Sequence, residues 1–289
     1  MPYAPFDQSQ EAHEDQLVEP TILGVGWDVG GWIGRKQGVA VATLNAAGVT
    51  WLGSACSFRL SDLGSPDWTL TDLIRQAWSA APADVLDRYR IVLAVDAPFG
   101  FPRAFKQLLD SGQAPAFQPD GREIDNPLAY RDCDRWIHEV FKKKPLSASF
   151  DKLGNNATVA MHHVRRLATL HGARALPFDP PSADAHTIIE VYPALSKVPK
   201  DSCCYPAIER LLPTNSVAGT DECDACVCAL MALAFASGGN RGDLPPIIAP
   251  GKEVADAARA EGWIYYPSRE WLTSGRASLR SDSAAAERA

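Results

Sequence analysis

Four carboxylates stand where chemistry could use them. Asp28 ends the apolar run Thr21 to Asp28 (TILGVGWD), and Asp96 ends the run Ile91 to Asp96 (IVLAVD). Glu190 lies inside Thr187 to Tyr192 (TIIEVY). Asp224 immediately precedes the apolar stretch Ala225 to Ala236, with Asp221 three residues earlier on about the same helical face. In an open α/β sheet the carboxyl ends of neighbouring strands border the ligand crevice, so Asp28, Asp96 and Glu190 are expected to converge there. Like charges about 4 Å apart repel by several kcal/mol near a protein surface, and such a cluster stays ionised only around a cation. Hard oxygen donors suit Mg²⁺ or Mn²⁺, here on Asp28, Asp96 and Asp224. Two such ions can activate a water and stabilise the leaving oxygen of a phosphodiester. Catalysis is therefore expected from Asp28, Asp96, Glu190 and Asp224. Glu190 either completes the cage, positions the water or pairs with a structural Arg. Asp221 and Glu222 read as ordinary acids of a helix N-terminus.

The elements that must position these acids follow from periodicity. Thr21 to Asp28 reads as a buried strand, and Gly38 to Asn45 and Val49 to Phe58 continue it as an antiparallel meander. Asp67 to Ala80 carries Leu70, Leu73, Ile74 and Ala77 at helical spacing, and Ile91 to Asp96 then returns as a central parallel strand. Residues 103–152 are rich in Pro, Gly and charge, with a helix from about Leu128 to Lys142, and are expected to form an inserted helical lid. Asn155 or Asn156 caps the next helix, Thr187 to Tyr192 is a strand, and a helix buried on all sides starts near Thr220. Residues 21–272 are read as one domain with the insertion 103–152, flanked by an acidic arm (1–20) and a polar tail (273–289), both disordered.

Composition narrows the classes. With 46% hydrophobic and 22% charged residues among 289, the chain is neither collagenous nor wholly disordered. No apolar run reaches the ~20 residues of a membrane-spanning helix, and the first twenty residues carry five acids and no Lys or Arg, unlike a secretory signal. Seven scattered cysteines, an odd number, point to reduced thiols and a cytoplasmic protein. A net charge of −7 argues against a protein that coats nucleic acid through an overall basic surface. Arg131 to Arg174, however, holds nine Lys/Arg against four Asp/Glu, which fits an anionic substrate meeting one face or a solvated helical surface.

The ordered motifs GWDVGGWIGRKQGVAVA, VLAVDAPFGFP, CDRWIHE, PLSAS, DKLGNNAT, IIEVYPA and DECDACVCALMA resemble the domain-of-unknown-function family 429, described as predicted nucleases with an RNase H-like fold. The resemblance runs from about residue 22 to 270. It implies an RNase H-like three-layer α/β/α domain with a mixed five-stranded sheet in the order 3-2-1-4-5, helices on both faces, and metal-binding acids at Asp28, Asp96 and Asp224. RNase H proper has a Glu on its first core helix; Asp72 is the only acid in the middle of that helix here.

Several weaker signals accompany these. Gly30 and Gly31 after Asp28 look like a first phosphate-binding loop of the actin and hexokinase superfamily, which makes an ATP-dependent phosphotransferase the competing expectation. A catalytically inactive binding module on the same fold is a third. Arg35, Lys36, Arg135, the run Lys142 to Lys144, and Lys152 are candidate phosphate contacts, although Lys runs are also common on solvated faces. His138 is either a proton shuttle or a surface helix residue. Cys223 and Cys226 read as buried thiols rather than a zinc pair. The expected partner is a nucleic acid or nucleotide substrate, with no membrane.

Overall fold

The computed structural model describes residues 21–274 apart from 33–35, 114–115, 117–120, 151–152 and 240–242. Lys152, Arg35, the arm of 1–20 and the tail beyond 274 lie outside the described residues. The chain order is β1 (Thr21–Asp28), β2 (Gln37–Asn45), β3 (Gly48–Trp51), β4 (Cys56–Phe58), α1 (Leu70–Ala77), α2 (Val85–Arg88) and β5 (Tyr89–Asp96). There follow α3 (Arg103–Ser111), α4 (Asp132–Phe141), α5 (Leu153–His171), β6 (Arg174–Ala175) and β7 (Thr187–Val191). The last elements are α6 (Pro206–Glu209), α7 (Asp221–Ala236), β8 (Ile247–Ile248), α8 (Ala255–Glu261) and β9 (Ile264–Pro267).

This is an α/β fold on one mixed sheet in the order β3-β2-β1-β5-β7-β9-β8, with β4 also on β2 and β6 also on β7. Nine strands among the described residues replace the expected five. β2 runs antiparallel to β1, while β1, β5, β7 and β9 are mutually parallel along the sheet. The single strand expected over Val49 to Phe58 is split, because the intervening Ser54 N–H turns to the Ala77 carbonyl of α1 instead of the sheet. β6, β8 and β9 are too short, or too embedded in loop, to show a period of two.

Alternation along β1 builds the two faces. Leu23, Val25 and Trp27 join α1 and α5 in one apolar layer that includes Leu73, Ile74, Val164 and Leu167. Gly24 and Gly26 face the other way, where α7 lies against them. That helix is apolar on every side, with Ala225 to Ala234 buried, as a helix pressed on a sheet and covered in turn by other elements must be. A Cβ at Gly26 would sit 1.9 Å from the Ala225 carbonyl oxygen, and one at Gly38 2.2 Å from that of Asp221. The absent side chains on β1 and β2 let the first turn of α7 descend onto the strand ends.

Two helix starts differ from expectation. Thr69, not a residue near 67, caps α1 and forms a capping box with Asp72, so the one mid-helix acid is spent on the helix terminus. Asn155 and Asn156 lie inside the first turn of α5 and reach across to the loop after β1: Asn156 Nδ2 donates to the Val29 carbonyl (2.7 Å), and Trp32 N–H donates to Asn155 Oδ1 (3.0 Å).

Candidate functional site

Parallel pairing of β1 with β5 sets Asp28 directly beside Asp96 at the carboxyl ends of two buried strands. α7, capped by the Thr220 hydroxyl accepting from Cys223 N–H, brings Asp224 to the same place. Neither the Asp28 nor the Asp96 carboxylate accepts a hydrogen bond from a described residue, although the charge of Lys197 reaches both. Burial, and then the neighbouring Asp224 and Asp221, push the Asp28 carboxyl up from 3.8 to about 8. Burial and the charges of Asp28 and Asp224 likewise hold Asp96 well above the usual carboxylate range. The two therefore share a strong appetite for positive charge.

Asp224 is already served. Lys197 Nζ lies 2.6 Å from one of its oxygens and donates to the other at 2.8 Å. Burial works against the Lys197 charge, but Asp224 outweighs it and the net shift is upward. The lysine follows the helical turn Pro193–Ser196 and is fixed by an antiparallel bridge to Cys204. Val198 N–H donates to the Cys203 carbonyl (2.9 Å) and Tyr205 N–H to that of Ser196 (2.8 Å), so its backbone is held on both sides.

Glu190 takes up the last of the roles open to it. It is 1% exposed, and its carboxylate is gripped by Arg131, with Nη2 2.6 Å from Oε1 and Nη1 2.9 Å from Oε2. Phe99 N–H also donates to Oε2 at 2.9 Å. Arg131 in turn binds both oxygens of Asp134, which is equally buried. Of the roles open to a strand glutamate, the structure provides the pair with a structural arginine; its oxygens are taken. Burial raises the Glu190 carboxyl, with Arg131 and the Phe99 amide opposing. The first turn of α4 thus anchors a segment expected to be a peripheral lid, and Pro145 and Leu146 of that segment wall the cavity beside it.

That cavity, of about 130 Å³, is bordered by Asp28, Asp96, Asn156 and Tyr192 together with the Arg131 network. It has room for several waters or a small hydrated ion. Tyr192 is pushed up to about 12 by burial and by Asp96, so it stands there as a neutral phenol at physiological pH. Among the described residues no three His, Cys, Asp or Glu side chains form a ready set of metal ligands. With Asp224 on Lys197, the acids free of hydrogen-bond partners are Asp28 and Asp96, two hard oxygen donors of the kind Mg²⁺ and Mn²⁺ prefer.

The remaining expected site residues do not gather here. The Gly30 N–H donates to Gln37 Oε1 (3.0 Å), and a Cβ on Gly30 would meet the Lys36 carbonyl at 2.2 Å. A Cβ on Gly31 would meet the Asn155 amide at 2.2 Å. Both glycines are thus explained by packing, and the Gly30 amide expected to cradle phosphate is occupied. Lys36 is exposed near Asp221, which burial and Glu222 raise against its charge, and Glu222, which a Ser57 hydrogen bond lowers with a small contribution from Lys36. Arg135 is spent on the Tyr130 carbonyl and Asp132. His138 is half-buried, away from the cavity lining, with Nδ1 unpartnered. Sequence reasoning missed Lys197, Arg131, Asp134 and Asn156. A buried glutamate in IIEVY demanded a cation, and that demand was the one signal for Arg131.

No family model, curated protein or solved structure matches the chain. No helix among the described residues is long and apolar enough to cross a membrane.

Proposed function

We propose that this protein is a divalent-metal-dependent phosphodiester hydrolase of RNase H-like design, acting on a nucleic acid or nucleotide. The observation that carries this reading is the pair Asp28 and Asp96: two mostly buried carboxylates on adjacent parallel strands, without hydrogen-bond partners and with raised proton affinity. Acids kept in that condition at a cavity are characteristic of functional sites. The run β3-β2-β1-β5-β7 within the larger sheet, and the motif resemblance to family 429, support the RNase H-like assignment. The seven free thiols fit a reducing, cytoplasmic compartment.

Asp28 and Asp96 would hold Mg²⁺ or Mn²⁺, which when bound supplies Lewis acidity toward a phosphoryl oxygen and a more acidic water. Asp224, paired with Lys197 through Oδ2, would stand beside the ion, its buried Oδ1 lying 2.6 Å from the ammonium without a hydrogen bond. The Arg131 network ties up the oxygens of Glu190 and Asp134 in the cavity wall beside the acids. Asn156 ties the loop leaving Asp28 to α5, which fixes the direction of the Asp28 strand end.

The test is hydrolysis of bis(p-nitrophenyl) phosphate and of single-stranded and duplex oligonucleotides, with and without Mn²⁺. Metal-dependent cleavage lost in both Asp28→Asn and Asp96→Asn, each still folded, is expected. Cleavage that needs no metal, or survives both substitutions, overturns the reading, as does the absence of cleavage of every probe.

A further inference from the structure

Resting on the reading above, we infer that Lys197 takes the place of a second metal ion, so that this centre binds one divalent cation and the Lys197 ammonium supplies the other positive charge. The charges of Asp28, Asp96 and Asp224 act on one another at the strand ends, although the three side chains do not form a ready ligand set. The lysine cancels one of them through a contact of 2.6 Å in a pair whose side chains are 14% and 21% exposed. Of these three acids, Asp28 and Asp96 then remain for a metal, and their two charges are what one divalent cation neutralises. Asp221 and Glu222, whose charges also reach Asp28, belong to the first turn of α7, and the oxygens of Glu190 and Asp134 are committed to Arg131 and backbone amides.

The geometry also makes Lys197 a fixture. Its backbone is pinned by the Lys197–Cys204 bridge and flanked by the Val198 and Tyr205 hydrogen bonds, all on the segment that leaves β7. The neighbouring Lys143 is tied down separately, donating to the Ala194 carbonyl at 2.7 Å with its ammonium over the Tyr192 ring. A cation delivered by a rigid backbone is preorganised for developing negative charge as a bound ion would be. Lys197 is in this sense the residue that sets how many ions the centre takes.

The experiment is a calorimetric titration of Mn²⁺ alone into the full chain and four variants. Wild type is expected to bind one ion per chain, weakened at least about 100-fold in Asp28→Asn/Asp96→Asn, beyond the loss typical of a ligand's supporting contacts. Lys197→Met frees Asp224 and is expected to bind two. Lys197→Arg, which keeps the charge, and Lys197→Met/Asp224→Asn, which removes the freed acid, are both expected to return to one. Two ions in wild type, or one in a folded Lys197→Met, overturns the inference while leaving the hydrolase reading intact. If Lys197→Met does not fold, the wild-type count decides alone. Mn²⁺ that fails to bind wild type, or binds the Asp28→Asn/Asp96→Asn variant equally well, overturns the hydrolase reading itself and the inference with it.

Discussion

Replacing Asp28 by Asn should stabilise the metal-free protein, and the gain should grow with pH. The folded state holds the Asp28 proton up to about 8, against 3.8 for an unperturbed carboxyl. Between those values the folded chain carries more protons than the unfolded one, so stability falls as pH rises through that window. At 1.36 kcal/mol per pH unit the loss comes to about 1.6 kcal/mol at pH 5, about 4 at pH 7 and about 5.5 above pH 9. These are ceilings, because Asp96 and Asp224 take up and release protons together with Asp28 and share the cost. Half of the value at pH 7 still moves the unfolding midpoint by roughly 4 °C in a chain of this size. The assay is urea unfolding of both proteins in a chelator at pH 5, 7 and 9. The expected result is Asn above wild type by a margin that widens to pH 8 and then levels. A constant margin, or a variant less stable than wild type at every pH, refutes the claim that burial and the neighbouring acids strain Asp28.

Glu190→Gln should cost about 2 kcal/mol, because the amide NH₂ that replaces one carboxylate oxygen cannot accept the hydrogen bonds that Arg131 and the Phe99 N–H give Glu190, leaving a buried donor unmet, while Mn²⁺ affinity stays within about threefold; chemical denaturation and Mn²⁺ titration on one preparation check both, and intact stability with lost metal binding contradicts the assignment. Gly26→Ala would place a Cβ 1.9 Å from the Ala225 carbonyl oxygen. Forcing α7 off the sheet should abolish cooperative unfolding or lower the midpoint by more than 10 °C, a loss of several kcal/mol of the kind overpacking produces; a circular-dichroism melt reads it directly.

Much of this arrangement is visible in the residues, and the rest is not for definite physical reasons. TILGVGWD and IVLAVD declare themselves because continuous aliphatic runs have few fates, and an acid at the end of each marks the sheet's carboxyl edge. The glycines of the first run are a different matter: Gly24 and Gly26 look like breakers locally, and only the descent of α7 explains them. Asp224 is legible as the polar residue at the mouth of an apolar helix, but its partner Lys197 sits on a loop 27 residues away, and no periodicity reaches across it. Glu190 and Arg131 are 59 residues apart, so sequence could pose the need for a cation without saying which one met it. The small strands β6, β8 and β9 escape because pairing and not pattern makes them strands. Arg135 and His138 stand out in the sequence of α4, but it is Arg131 and Asp134 at the start of that helix that reach the buried Glu190.

We propose that the Asp28 and Asp96 carboxylates are held without hydrogen-bond partners so that they can bind a metal ion. Anomalous X-ray scattering from a crystal soaked in Mn²⁺ tests this, and a single peak within about 2.1 Å of both carboxylates is expected, as for a hard octahedral cation, with Lys197 still on Asp224. A crystal with no peak there, or with its peak against Glu190, contradicts it.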